Sequence, residues 1–445
     1  MKNFITGRRI AYLRSRNIPE MTQKELAKLI YASRTTISAL ENGERRLKES
    51  VIKELSDVFE VPDAYFRSNP YCKDLEIELE IAFEKLFTLE VVSTDDIFMN
   101  NRYDLEIGQE VAFRLLQAIY FYKKNDFEKG DCIAYHFVAK FNIDENEIKN
   151  NATLFKYFIF FKYELSFRES NLNACHHYAK QLLELVDSQK QKSVARVFLA
   201  QALFLKGSVE EAYSVMEVAV ETIETFDEGF LLASAFINLS SILIYLNFCD
   251  RALEVLQKVE RMTHKLENDD LKSLLLYQRG EMCRKRKEYE EALSYYERAY
   301  DLATDLSTQI KILDAMAICS VIKDTGHEEI LDKLKKLKRK NLRKYDKMKL
   351  TFLKYCLQHH NYRSKSCERR MKGFVAYFDV NGYRLDLEYV YYYLAYYYRG
   401  NGMYKTAMLY FMKQEENEAS GNENNLNKEL LSSIVQKIKF LGNFF

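Results

Sequence analysis

The sequence predicts an all-α protein, with a small N-terminal helical domain followed by a long array of paired helices. Three observations predict it. Only 3 Pro and 14 Gly interrupt 445 residues, which leaves few breakers between long helical stretches. The stretch from Leu276 to Ala303, LYQRGEMCRKRKEYEEALSYYERAYDLA, reads as two helices: Leu276, Gly280 and Cys283 fall three or four apart on the first, and Tyr289, Ala292, Tyr296 and Ala299 do so on the second. The spacing recurs, since Ala212, Ala252 and Ala292 follow one another at steps of 40 residues.

Fainter copies set Gly130, Ala174, Ile330, Lys365 and Ala407 at the offset of Ala292. About eight helix pairs are therefore expected between Glu76 and Leu441, each leaving an apolar face that only a neighbouring pair can cover. Gly280 and Ala292 are small where the two helices of a pair must approach. This pattern resembles the tetratricopeptide repeat. The resemblance implies a right-handed solenoid whose first helices line a concave groove that takes extended peptides.

At the other end, residues 1–66 form a unit with separate logic. Gly7 to Arg16 carries Ile10 and Leu13 inward among arginines and suits a first helix. Thr22 and Glu25 have capping-box spacing and start a second, TQKELAKLI. Ser33 can cap a third, SRTTISALEN, with Ile37 and Leu40 facing inward and Gly43 ending it. The fourth, ESVIKELSDVFEV, ends before Pro62. Pro70 then breaks the pattern. The expected domains are thus 1–67, a linker at 68–75 about which the first domain pivots, and 76–445.

TQKELAKLIYASRTTISALENGERR resembles the helix-turn-helix of the phage repressor and Cro type, in its Xre branch. One departure is Tyr31, at a turn position where that family usually has glycine. The resemblance implies that the third helix enters the DNA major groove, with Arg34, Thr35 and Ser38 at base edges and Ser33 and Thr36 near its start. Arg34 is the strongest candidate, because a guanidinium makes two hydrogen bonds to guanine. Gln23 and Asn42 match phosphate-gripping positions. Ser33 and Thr35 could instead merely cap the helix. Residues 1–66 carry 12 Lys and Arg against 9 Asp and Glu, a weak excess. Tight binding then calls for a homodimer on a palindromic double-stranded operator.

On the groove, matching offsets select Gln201, then Asn238 and Ser241, then Gln278, Glu281 and Arg284. A side-chain amide can pair with both the N–H and the C=O of an extended peptide. The bland alternative for each is a solvated polar face. The run from Lys333 to Lys372 holds 16 Lys and Arg in a chain of net charge +1. Most such runs are solvated, and a second DNA contact or an acidic protein partner are the alternatives. The tyrosine cluster from Tyr389 to Asn401 suits the packed first helix of a late pair.

Other classes recede. The eight Cys form no CxxC pair and no zinc-like spacing with His, so reduced thiols without metal or cofactor are expected. No run of 18 apolar residues and no leader is present, so a cytoplasmic protein without membrane contact is expected. No phosphate loop, GxSxG or HExxH occurs, and the adjacent pairs His176-His177 and His359-His360 diverge on a helix. No enzyme is expected.

Together, an Xre-type domain and a tetratricopeptide array resemble the peptide-sensing regulators of Gram-positive bacteria, the group of Rap, Rgg, NprR, PlcR and PrgX, with AimR as a relative. The resemblance implies a quorum-sensing transcriptional regulator controlled by a short signalling peptide. Two other readings are an array that sequesters a partner such as a response regulator, and a ligand-independent repressor.

Overall fold

The computed structural model describes residues 2–419 apart from 17–18, 68, 89–93, 142, 144–147, 227–228, 267, 324, 338–341 and 359–364. Among the described residues there is no strand. The chain divides into two compact units, Met1–Leu165 and Ser166–Phe445.

The first unit opens with α1 (Lys2–Ser15), α2 (Gln23–Leu29), α3 (Arg34–Glu41), α4 (Glu49–Phe59) and a 3-10 turn at Asp63–Phe66. Local signals set their ends. The Thr22 hydroxyl accepts from the Glu25 N–H at 3.2 Å, and the Glu25 carboxylate accepts from the Thr22 N–H at 2.6 Å. Ile10, Leu13, Leu26, Ile37, Leu40 and Leu55 form the core between the helices. Gly7 lets α1 and α3 touch, since a Cβ there would lie 2.3 Å from the Leu40 carbonyl oxygen. Tyr31, at the glycine-like turn position, does adopt a left-handed backbone, φ 50°, and its side chain is 95% exposed.

The expected linker is not a free segment. Helix α5 (Lys73–Phe87) begins inside it, followed by a short α6 (Asp95–Phe98), and then α7 (Ile107–Lys123) and α8 (Phe127–Cys132). Arg9 of α1 is buried against Glu110 of α7, and Tyr12 meets Phe137 edge-on at 5.2 Å on a π-helical segment, Ile133–Val138. These contacts bind α1 to the helices beyond residue 73 and replace the expected pivot. The division by contacts falls accordingly at Leu165 and Ser166 instead of near residue 70.

The chain continues through α9 (Ala152–Glu169) and α10 (Leu172–Leu185), then as α11 (Gln189–Leu205) with α12 (Val209–Ile223), α13 (Gly229–Tyr245) with α14 (Cys249–Leu266), and α15 (Asp269–Lys285) with α16 (Tyr289–Leu302). Then come α17 (Leu306–Lys323) and α18 (His327–Lys336), α19 (Lys344–Gln358) and α20 (Lys365–Asn381), and α21 (Arg384–Gly400) and α22 (Tyr404–Ala419). From α7 to α22, sixteen helices follow one another two by two in sequence among the described residues; the expected final stretch to Leu441 lies outside them. Ala212, Ala252, Ala292 and Ala407 each sit at the fourth residue of a second helix and are 0% exposed. A Cβ on Gly280 would lie 2.4 Å from the ring of Tyr296, which explains the glycine opposite that helix.

Two of the fainter copies are out of register. In α10 the fourth residue is Cys175, buried, while Ala174 is half-buried; two small residues side by side made the offset ambiguous. In α20 the fourth residue is Glu368, three beyond Lys365. No small residue marks that pair. The tyrosine-rich α21 packs as expected, with Tyr393, Tyr397 and Tyr398 buried.

Candidate functional site

Two surfaces follow from these elements. On the first, α3 turns Ile37 and Leu40 into the core and leaves Arg34 and Thr35 exposed and Thr36 and Ser38 partly so. Ser33 is the N-cap, its hydroxyl accepting from the Thr36 N–H at 3.0 Å while lying 2.7 Å from the Thr35 hydroxyl. The capping alternative for Ser33 is therefore realised. Thr36 also accepts from Arg45 at 3.2 Å. The Gln23 amide donates to Glu41 at 2.8 Å, and Arg14 donates to the same carboxylate, so Glu41 ties α1, α2 and α3 together. That Gln23 nitrogen carries a second N–H, which is the donor left for a phosphate contact. Asn42 is the C-cap of α3, exposed, with its amide 3.4 Å from Glu44.

The second surface lies within the second unit, on the first helices of its pairs. Gln278 is 1% exposed and donates its amide to the Ser241 hydroxyl one pair away. Asn238 and Ser241 bond carbonyls of their own helix, those of Ser234 at 2.9 Å and Ile237 at 3.2 Å. Gln201 is half-buried on α11. Arg284 and Tyr296 both donate to Glu281 at 2.6 Å. Burial alone would raise the Glu281 carboxyl; the Arg284 guanidinium and the Tyr296 hydroxyl reverse this and hold it below its ordinary value.

The same inner row continues through residues the sequence reading did not select. Lys349 of α19, within the basic run, is buried between Asp314 at 2.7 Å and Asp386, and so is not on a solvated face. Tyr345 also donates to Asp386, at 3.2 Å. Burial raises Lys349's neighbour Asp314, whereas the two carboxylates hold Lys349 well above its ordinary value against burial. Lys311 of α17 is exposed, with its Nζ 4.5 Å from the Tyr277 ring centroid. Tyr389 of α21 is pushed up to about 12, chiefly by burial. A signal was present: Asn238, Gln278, Asp314, Lys349 and Asp386 recur every 35 to 40 residues. It was hidden because the side chain at this position changes from amide to carboxylate to ammonium along the row.

The ends of this row meet. Tyr245 of α13 donates to Glu388 of α21 at 3.0 Å, across 143 residues. Leu172 and Leu205 pack with Phe352, Phe378 and Tyr393 in one apolar cluster. Thus the inner face of the second unit is bounded by its own last pairs. Among the described residues, the one constellation with metal-ligand character is Cys283, Glu288 and Glu291 at the turn between α15 and α16; no His joins it.

Comparison with known proteins agrees with this geometry. Residues 18–66 match the family described as helix-turn-helix, and residues 144–316 match the tetratricopeptide repeat-like domain. No curated protein matches the chain by sequence. Among solved structures, a Rap protein complexed with competence and sporulation factor aligns with TM-score 0.62 at 12% identity, over 79% of this chain and 99% of that one. NprR in complex with its cognate peptide NprX aligns with TM-score 0.55 at 12% identity, over 82% and 100%. The apo form of the quorum sensor NprR from B. thuringiensis gives 0.50 at 13% identity, over 78% and 99%. With a helix-turn-helix match first and a tetratricopeptide repeat-like match after it, this chain shares the fold of the Rap and NprR structures along nearly their whole length.

Proposed function

We propose that this protein is a cytoplasmic quorum-sensing regulator of transcription. It binds double-stranded DNA as a homodimer through α3, and a short signalling peptide bound along the inner row of the second unit controls it. The single observation that supports this reading best is that row. Consecutive first helices present Asn238, Ser241, Gln278, Glu281 and Arg284 toward one face, and neighbouring pairs are already joined there by the Gln278 to Ser241 hydrogen bond. Such groups can exchange a partner within the chain for a peptide backbone at little cost, since one hydrogen bond replaces another. Two of the similar structures, by their descriptions, hold competence and sporulation factor and a cognate peptide.

The test uses the full chain. A library of short synthetic peptides is screened by thermal shift, and a hit is titrated by calorimetry against wild type, Asn238→Ala and Gln278→Ala. Each substitution is expected to weaken binding by about 1–3 kcal/mol, while binding of the unliganded variants to a duplex selected from random sequence stays intact. Wild-type peptide affinity in both variants, or loss of DNA binding without peptide, would move the sequestration reading ahead.

A further inference from the structure

The cations of the basic run differ in their surroundings. Five are neutralised by carboxylates: Lys333 by Glu329, Lys335 by Asp332, Arg343 by Asp346, Lys349 by Asp314 and Asp386, and Lys372 by Glu368. Three others surround a cleft of about 460 Å³ between α19 and α20 and meet no carboxylate among the described residues: Lys347, Lys354 and Arg370. Lys347, Thr351, Lys354 and Gln358 follow the four-three-four spacing of a single helical stripe. That stripe points away from Lys349, so the cleft lies on the opposite face of α19 from the inner row.

The floor of the cleft is apolar. Leu342, Leu350 and Tyr355 line it and are 2%, 7% and 6% exposed, and the Arg370 guanidinium lies 5.3 Å over the Tyr355 ring. None of the lining residues is acidic. Cations left without carboxylates around an apolar floor complement a ligand that is anionic at its edges and greasy at its centre. Duplex DNA offers phosphates but no apolar group to enter a narrow cleft. A protein segment offers both.

We infer that this cleft is a docking site for an acidic segment of a partner protein, one that inserts a leucine or phenylalanine between flanking Glu or Asp residues. The site is separate from α3 and from the inner row, so the inference stands whether or not a peptide binds there.

The probe is a fluorescein-labelled peptide of repeated Glu-Glu-Leu triplets, titrated against the full-length protein by anisotropy at low salt. Binding is expected, with Gln-Gln-Leu repeats failing and Glu-only repeats weaker. Lys347→Glu with Arg370→Glu should weaken binding by at least about tenfold, because reversing rim charges turns attraction into repulsion. Lys336→Glu, exposed and outside the cleft, should leave it unchanged. If the reversed pair melts early, Lys347→Gln with Arg370→Gln replaces it. Four results would overturn the inference: no binding of the Glu-Glu-Leu probe, equal binding of the two leucine peptides, wild-type affinity in the cleft variant, or an arbitrary DNA duplex that competes with the peptide and is weakened equally by the variant.

Discussion

The Arg9 guanidinium lies 2.6 Å from the carboxylate of Glu110, across 101 residues, and the two side chains are 3% and 0% exposed. Arg9 also donates to the carbonyls of Tyr65 at 2.8 Å and Leu105 at 2.9 Å, and Tyr65 donates its hydroxyl to Glu110 at 2.7 Å. One buried knot therefore joins α1, the 3-10 turn and α7. Helix α3, packed on α1 through Gly7, is carried by this frame.

Removing one partner of this knot strands the other without water. Arg9→Ala is expected to cost about 3–5 kcal/mol, seen as a lower thermal transition and as faster proteolysis of residues 1–66. Arg9→Met combined with Glu110→Gln keeps an acceptor for Tyr65 and removes both charges. It should be less damaging than Arg9→Ala alone. Single variants within about 0.5 kcal/mol of wild type would show that the pair contributes only geometry.

Tyr31 tests the turn between α2 and α3. An L-residue at φ 50° carries a steric cost of about 1–2 kcal/mol, which glycine escapes at an entropic cost of about 0.5–1. Tyr31→Gly should thus be neutral or slightly stabilising by chemical denaturation. Tyr31→Val, β-branched, should lose more than about 1 kcal/mol. Equal stability of the two variants would mean that the turn relaxes out of the left-handed region.

What the sequence made legible is local. Thr22 with Glu25, Ser33 and Gly43 mark helix ends by hydrogen bonds that span three residues, and Ala212, Ala252 and Ala292 mark close helix contacts by size alone. The knot at Arg9 was not legible, because the arginines of α1 look alike and the choice of partner is made by α7. Lys349 was hidden for the reverse reason. It stands among exposed cations, and only its helical phase relative to Lys347 turns it toward Asp314 and Asp386.

Arg34, exposed at the first position of α3, has no partner among the described residues to compete with a base edge. Arg34→Ala is expected to weaken binding to a selected duplex by about 1–3 kcal/mol and to relax preference at one base pair. Titration against the selected duplex and single-base variants of it reads both effects. Unchanged affinity with unchanged preference would remove Arg34 from the base-reading set.

The Glu281 and Arg284 pair gives a prediction with a pH sign. Their side chains are 14% and 17% exposed, and Tyr296, Tyr277, Lys311, Asp314 and Tyr389 surround them. In the wild type, Glu281 is held below its ordinary value, so its stabilisation is complete above the unfolded value of about 4.3 and is lost only as pH falls below that. Arg284→Met removes the main cation and leaves burial dominant, which raises the folded pKa above the unfolded one. Folding then takes up a proton, and the variant regains stability as pH falls. At pH 7.5 the variant should be about 2–4 kcal/mol less stable than wild type. Between about pH 7.5 and 5.5 the gap should narrow, though Lys311 limits the rise and hence the narrowing. Thermal unfolding of both proteins at the two pH values measures it, with Arg284→Met/Glu281→Gln as the control whose smaller deficit should not vary with pH. A gap of constant size in the single variant would mean that Glu281 finds water or Lys311 when Arg284 is gone, so that burial does not come to dominate its titration.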